Sequence, residues 1–339
     1  MARKSKKTGI IVFVAIIIAA LAVAAYSLLS GPGSIPNTTG DPDRGTTHAD
    51  FFKKNKIKGK FGSNYIAALY IEGTIEDANK TYNQSWLLDT INDLKNDNRN
   101  VGILLYINSP GGGVYEADGT YLALENYKKC GKPVYAYLGP LAASGGYYIA
   151  CAADKIYANR NTLTGSIGVI AGESVDLTGL MNKYGVKVET ITAGKNKNML
   201  NFNCPLTDEQ RAIMQEVADD AYDQFTGIVA ESRKLKIEDV KKLADGRIYT
   251  AHQAERNGLI DQIDSWDDTV TAFSKAIGTE NYKINTFKYE RDGGFFDLLT
   301  GILTHISGTR ATADQNLADA VVNKIKPDIN YPAYIYQPR

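Results

Sequence analysis

Short apolar runs alternate with stretches of helical spacing through the middle of the chain. Ile66–Ile71 and Val101–Ile107 are compact apolar runs with β-branched residues, the pattern of strands buried on both faces. Trp86–Leu94 and Ala117–Lys129 carry apolar residues three and four apart and read as helices. Pro133–Leu138 reads as a third strand and Lys155–Ala158 as a fourth. Strands alternating with helices predict an α/β core with a mostly parallel sheet. Val186–Thr192 alternates apolar and polar positions, which predicts a half-exposed strand. The longest helix is expected after Pro205, with Thr207 as its cap and Gln210 closing a capping box. Its stripe of Ile213, Met214, Val217, Ala221, Phe225, Ile228 and Val229 predicts a face turned to the core or to a subunit interface. Residues 293–308 are apolar on one side and read as a packing helix first, with a membrane-surface helix or a substrate-groove cover as alternatives, and prolines keep the stretch PAYIYQPR mostly extended.

The first residues carry a different pattern. Arg3, Lys4, Lys6 and Lys7 precede an uncharged run from Gly9 to Leu29. As a helix that run reaches about 31 Å, the thickness of a bilayer core. Cations ahead of it favour a cytoplasmic N-terminus, with the rest of the chain outside the cytoplasm. The rival is a cleaved signal peptide, since Ala22-Val23-Ala24 resembles a cleavage site. That site lies inside the apolar run, and the run is longer than a usual signal core. Residues 30–60 begin rich in Gly, Pro, Thr and Asp and read as a linker. The expected organisation is therefore a basic segment at 1–8, a membrane anchor at 9–29, a linker at 30–60, a catalytic domain at 61–280 and an extension at 281–339.

Lys and Arg number 38 and Asp and Glu 38, which argues against nucleic acid as a partner, because phosphate binding needs clustered cations. Cys130, Cys151 and Cys204 lack metal-ligand spacing and are expected as small buried residues. The histidines are His48, His252 and His305, and none follows a buried strand beside a glycine-rich turn. No metal or cofactor is expected.

Two turns stand out chemically. INSPGGGV (107–114) ends a buried strand in proline and glycines. It reads either as a plain strand-to-helix turn or as an oxyanion hole, whose N–H groups meet charge developing on a carbonyl oxygen. Ser144 follows the third strand and precedes Gly145-Gly146-Tyr147-Tyr148, which reads as a helix start. It is either a nucleophile projecting from a sharp turn or a helix cap. With no histidine well placed, a lysine base comes into view. Such a lysine must be neutral, which lowers a pKa of about 10.4 by desolvation. Lys195 and Lys197, in ITAGKNKNML (191–200), follow a predicted strand and a glycine, with Met199, Leu200 and Phe202 nearby as cover. Ser166, in TGSIGV, is either a hydroxyl that orients the amine or a turn hydroxyl bonded to backbone.

From about Ile66 to Ile263 the chain resembles the bacterial signal peptide peptidase A (SppA-type) family of membrane serine proteases, in its short form. The segments that carry the resemblance are YIEGTI, INSPGGGV, GPLAASGGYYIACAADKIYANRNTLTGSIGVI, AGKNKN and DGRIYTAHQAERNGLIDQI, in the family's order. The resemblance implies a ClpP/crotonase-like α/β superfold. It implies Ser144 as nucleophile, Lys197 as general base, and Ser166 as the hydroxyl that orients the lysine. Oxyanion donors would include the N–H groups of Gly111, Gly112, Gly113 and Gly145. It further implies rings in which adjacent subunits can share one site, and substrates that are signal peptides left in the membrane, with other hydrophobic peptides. Two alternatives differ in class: a crotonase-like acyl-CoA enzyme, which has no use for the Ser144 and Lys197 pair or an anchor, and a non-catalytic membrane scaffold of the same fold.

Overall fold

A computed structural model describes residues 64–278, 283–290 and 333–335. The expected anchor at 9–29, His48, His305 and the stretch 293–308 lie outside the described residues. Among the described residues, no helix is long and apolar enough to cross a membrane.

The core is built from β1 (Tyr65–Glu72), β2 (Asn100–Ser109) and β4 (Val134–Ala143), which run parallel in the order β4-β2-β1. Their apolar runs are buried because helices cover both faces. On one face pack α1 (Gln84–Asn96), α2 (Val114–Lys128), the short buried α3 (Gly145–Ala150) and the C-terminal half of α5 (Asp208–Arg233), around Leu69, Leu105, Ala136 and Tyr148. The helix α4 (Thr178–Tyr184) precedes α5 and has no buried residue. On the other face Phe273, from α8 (Trp266–Ala276), closes over Ile66 and Leu104. Beside it the in-register tyrosines Tyr70, Tyr106 and Tyr137 form a ladder against Trp266.

Strand β4 runs five residues past the predicted end at Leu138. Gly139-Pro140 looks like a stop in sequence, but β4 changes partners there. Tyr135–Leu138 pair with β5 (Lys155–Ala158), and Leu141–Ala143 pair with β6 (Leu163–Gly165). Buried hydroxyls satisfy the carbonyls at the changeover: Thr162 donates to Leu138 and Gly139, and Thr164 to Ala142. The antiparallel β7 (Ile248–Thr250) closes the β6 edge, and the parallel β9 (Lys283–Phe287) lies beyond β1. Further along the chain come α6 (Ile237–Leu243), α7 (Ala251–Arg256) and β8 (Gln262–Ile263), the last paired with β5.

Two further expectations, a strand and the burial of the cysteines, need correction. Val186–Thr192 is not a strand. It pairs with no other described segment, so its backbone has no ladder to join, and Val186, Val188 and Ile191 are all exposed. The stripe on α5 is only half used: Phe225 and Val229 are buried, while Val217 faces out. The Thr207–Gln210 capping box is present as predicted. Of the cysteines only Cys151 is buried; Cys130 is exposed and Cys204 intermediate, and all three are free.

Candidate active site

Ser144 sits on the single residue between β4 and α3. Its φ of 55° and ψ of −119° lie in a region that non-glycine residues avoid, at a cost of about 1–3 kcal/mol. Bonds on both sides hold it there. Its N–H donates to the Gly165 carbonyl at 2.8 Å, and its carbonyl accepts from the Tyr148 N–H at 2.9 Å. Ser144 is the N-cap residue of α3, yet its side chain makes no capping bond. The Oγ is buried and, among the described residues, has no hydrogen-bond partner. A buried, unpartnered hydroxyl on a strained turn is costly unless something else uses it.

The helix behind it is rigid. All residues of α3 are buried. The Tyr147 hydroxyl donates to the Leu259 carbonyl at 2.6 Å. Burial pushes the Cys151 thiol up to about 12, so this cysteine is an inert filler. Nearby, Asp261 accepts from Arg233, Lys155 and the Ile156 N–H, which fixes the GLIDQI segment to the sheet.

The glycine turn is a short strand, β3 (Gly111–Gly113), between β2 and α2. Ile75 pairs with it on one edge: Ile75 N–H donates to the Gly111 carbonyl, and Gly113 N–H donates to the Ile75 carbonyl. Gly111 N–H donates to the buried Ser109 Oγ at 3.1 Å. The amides of Gly111 and Gly113 are therefore committed within the chain. Gly112 has its backbone groups on the opposite edge, because successive residues of a strand alternate. Of the amides expected at an oxyanion hole, those of Gly112 and Gly145 remain outside these bonds. Glycine is required at 112 for a plain steric reason: a Cβ there would lie 1.8 Å from the Ile75 carbonyl oxygen. Gly112→Ala is expected to lower stability by at least about 2 kcal/mol and to remove activity. Thermal unfolding checks this, and an unchanged melting temperature would contradict the close approach.

On the other edge of β3, toward which the Gly112 backbone groups face, lies β10 (Ala333–Ile335), antiparallel, with Tyr334 opposite Gly112. It also lies against α2 and α3. The glycine edge thus accepts an extended strand beside the helix that Ser144 caps.

Ser166 is brought to Ser144 by register. Ala143 pairs with Gly165, and each serine is the next residue along. Ser166 also has a positive φ, 50°, and its N–H donates to the Arg247 carbonyl at 2.8 Å. A cavity of about 430 Å³ opens beside it, lined in part by Ile170, Tyr222 and Asp245.

Lys197 is not bonded to Ser144, whose Oγ has no partner among the described residues. It is exposed, on an arm running from Gly172 to Glu209 that contains no buried residue. The arm nevertheless displays Val175, Leu180, Tyr184, Val186, Val188, Ile191 and Phe202 to solvent. The two candidate lysines differ in their surroundings. Lys195 is ion-paired with Glu209, and that bond holds the Glu209 carboxyl below the usual carboxylate range. His252 is exposed on α7. Sequence reasoning missed Ser109, Thr162 and Thr164; Ser109 ends an apolar run and Thr164 precedes a glycine, while Thr162 carried no local signal.

Residues 126–280 match the sequence profile of peptidase family S49. Over 278 residues the chain is 33% identical to a candidate signal peptide peptidase SppA of Enterococcus faecium, covering 80% of each. It is 31% identical to protease 4 of Haemophilus influenzae, over 79% of this chain and 44% of that one. It is 32% identical to the chloroplastic serine protease SPPA of Arabidopsis thaliana, over 67% of this chain and 34% of that one. Among solved structures, a ClpP1 variant of Listeria monocytogenes is similar at a TM-score of 0.40 and 19% identity, covering 60% of this chain and 92% of that one. The chain belongs to peptidase family S49 and is an SppA-type protease.

Proposed function

We propose that this protease is a membrane-anchored serine endopeptidase that works through a Ser144–Lys197 dyad completed between two subunits. The observation that carries the reading is the Ser144 Oγ, buried and without a partner on a strained turn. A nucleophile waiting for its base accounts for both features.

The lysine arrives from a neighbouring copy. The arm exposes more apolar side chains than an isolated protomer gains from leaving in water. A second copy is the occupant that accounts for this face, because the same arm carries Lys197 and the cavity beside Ser166 is open to receive it. An amine enclosed in such an interface loses hydration, which favours the neutral form a base needs. Ser166, one step from Ser144 across the sheet, orients the amine.

The reaction follows from these placements. Lys197 takes the Ser144 proton as Oγ attacks the scissile carbonyl carbon. The N–H groups of Gly112 and Gly145 stabilise the oxyanion, and the positive end of α3 points at the same place. Collapse breaks the C–N bond, and the lysine ammonium gives its proton to the leaving amine. Water then attacks the acyl carbon, with Lys197 again as base; collapse breaks the bond to Ser144 Oγ, the lysine ammonium returns its proton to Oγ, and the carboxylic acid leaves.

Substrate binds as a strand on the edge of β3 that Ala333–Ile335 now occupies. Removing residues 331–339 is therefore expected to raise kcat/KM for an apolar peptide about fivefold or more, since a tethered competitor acts at high effective concentration. Equal or lower kcat/KM would contradict that placement.

The uncharged run at 9–29, with cations before it, supports an anchor that leaves the catalytic domain outside the cytoplasm. Its substrates there are residual signal peptides and other apolar peptides. The test is cleavage of an apolar signal-peptide segment by the full chain in detergent micelles. A clear preference for charged residues just before the cleaved bond would sink this substrate class.

A further inference from the structure

The hydroxyl of Tyr148 connects the elements that carry the chemistry. It donates to Asp118 Oδ1 at 2.7 Å and accepts from Gln224 Nε2 at 2.6 Å. Each partner stands on a different helix. Asp118 is on α2, which starts immediately after the Gly111–Gly113 turn. Gln224 is on α5, the helix that follows the lysine arm, and the first turn of α5 grips the arm through the Glu209 pair with Lys195. Tyr148 itself is on α3, one turn past Ser144, and its N–H holds the Ser144 carbonyl. Its ring is fully buried, edge-on to Tyr121 of α2 at 5.6 Å and tilted on Phe225 of α5 at 5.0 Å.

From this arrangement we infer that Tyr148 is a positioning residue for the hydrolysis, with Asp118 as its essential partner. The phenol fixes the separation between the Ser144 turn on α3 and the glycine turn at the head of α2. That separation decides whether a carbonyl held by the Gly112 and Gly145 amides lies in line with Ser144 Oγ. A misplacement of about 1 Å is enough to lose one to two orders of magnitude in rate. A half-buried donor and acceptor pair is suited to the task, because a hydroxyl–carboxylate bond has a short, well-defined length. This inference rests on Ser144 as the nucleophile and on the glycine amides as the oxyanion donors.

The test uses the full-length protein in micelles and the variants Tyr148→Phe, Asp118→Ala and Asp118→Asn. Tyr148→Phe keeps the ring contacts and removes only the hydroxyl. The expected result is a fall in kcat of about tenfold or more with KM within about twofold. Asp118→Ala should match it, Asp118→Asn should recover most of the loss through its amide oxygen, and the double variant Tyr148→Phe/Asp118→Ala should be no worse than either single one. A purely structural role predicts additive losses and no rescue by Asp118→Asn. Hydrogen exchange gives a readout independent of catalysis: Tyr148→Phe should speed exchange at both 111–113 and 144–148. Full kcat in Tyr148→Phe, or faster exchange confined to 144–148, overturns the inference. Should the unmutated protein cleave nothing, the protease mechanism fails by itself, and the exchange pattern still decides whether Tyr148 couples the two turns.

Discussion

Ser144→Ala is expected to lower peptide hydrolysis by about a thousandfold or more while leaving the protein at least as stable as its parent. The loss follows from the role: without Oγ no acyl-enzyme forms, and only binding and the oxyanion amides remain to act on the substrate. The stability expectation follows from the geometry. Alanine is as strained as serine at a φ of 55°, so the backbone term cancels. What disappears is a buried hydroxyl without a partner, and removing such a group gains about 1 kcal/mol. Activity and stability should thus move in opposite directions. Hydrolysis assays and thermal unfolding on the same preparation check both. Retained activity would remove Ser144 from the chemistry. A large loss of stability would mean that its hydroxyl has a structural partner.

The second large effect separates the two lysines of the arm. Lys197→Ala is expected to reduce hydrolysis by about a thousandfold, whereas Lys195→Ala should keep it within a few-fold. The contrast rests on what each amine does. Lys195 is bound to Glu209 with most of its side chain in water. A surface pair of that kind is screened by water and contributes little. Losing it loosens the attachment of the arm to α5 without removing a base. Measuring kcat/KM for the two variants beside the parent settles the order. Equal activity in all three would mean that neither lysine takes the serine proton.

What could be read from the chain and what could not divides by distance along it. Strands β1, β2 and β5 were legible because burial on both faces leaves an unbroken apolar run. The Ser144 turn was legible because a strand, a small residue and two glycines sit side by side. The capping box at Thr207 and Gln210 is likewise a matter of three residues. The end of β4 was not legible, because Gly139-Pro140 survives inside a strand only through Thr162 and Thr164, which lie more than twenty residues away. The turn glycines looked alike as oxyanion donors. Ser109 and Ile75, one near in sequence and one far, take up the amides of Gly111 and Gly113. The arm misled most. Val186–Thr192 has the alternation of a strand, but alternation specifies only that two faces differ. It does not supply a neighbouring strand, and among the described residues there is none. Nor does the spacing of Ser144 and Lys197 reveal that one protomer leaves them unjoined. The same holds for Tyr148, Asp118 and Gln224, which meet only when three helices pack.

The central claim is that one working site draws its serine and its lysine from two copies of the chain. Its most direct test mixes the inactive Ser144→Ala and Lys197→Ala proteins under conditions that let subunits exchange, and measures hydrolysis of an apolar peptide. If the site is shared, random mixing gives sites with an intact serine on one side and an intact lysine on the other. Activity should then return to about a quarter of the parent's. If each subunit is complete in itself, every site in the mixture lacks one member of the pair, and no activity beyond that of the separate variants will appear.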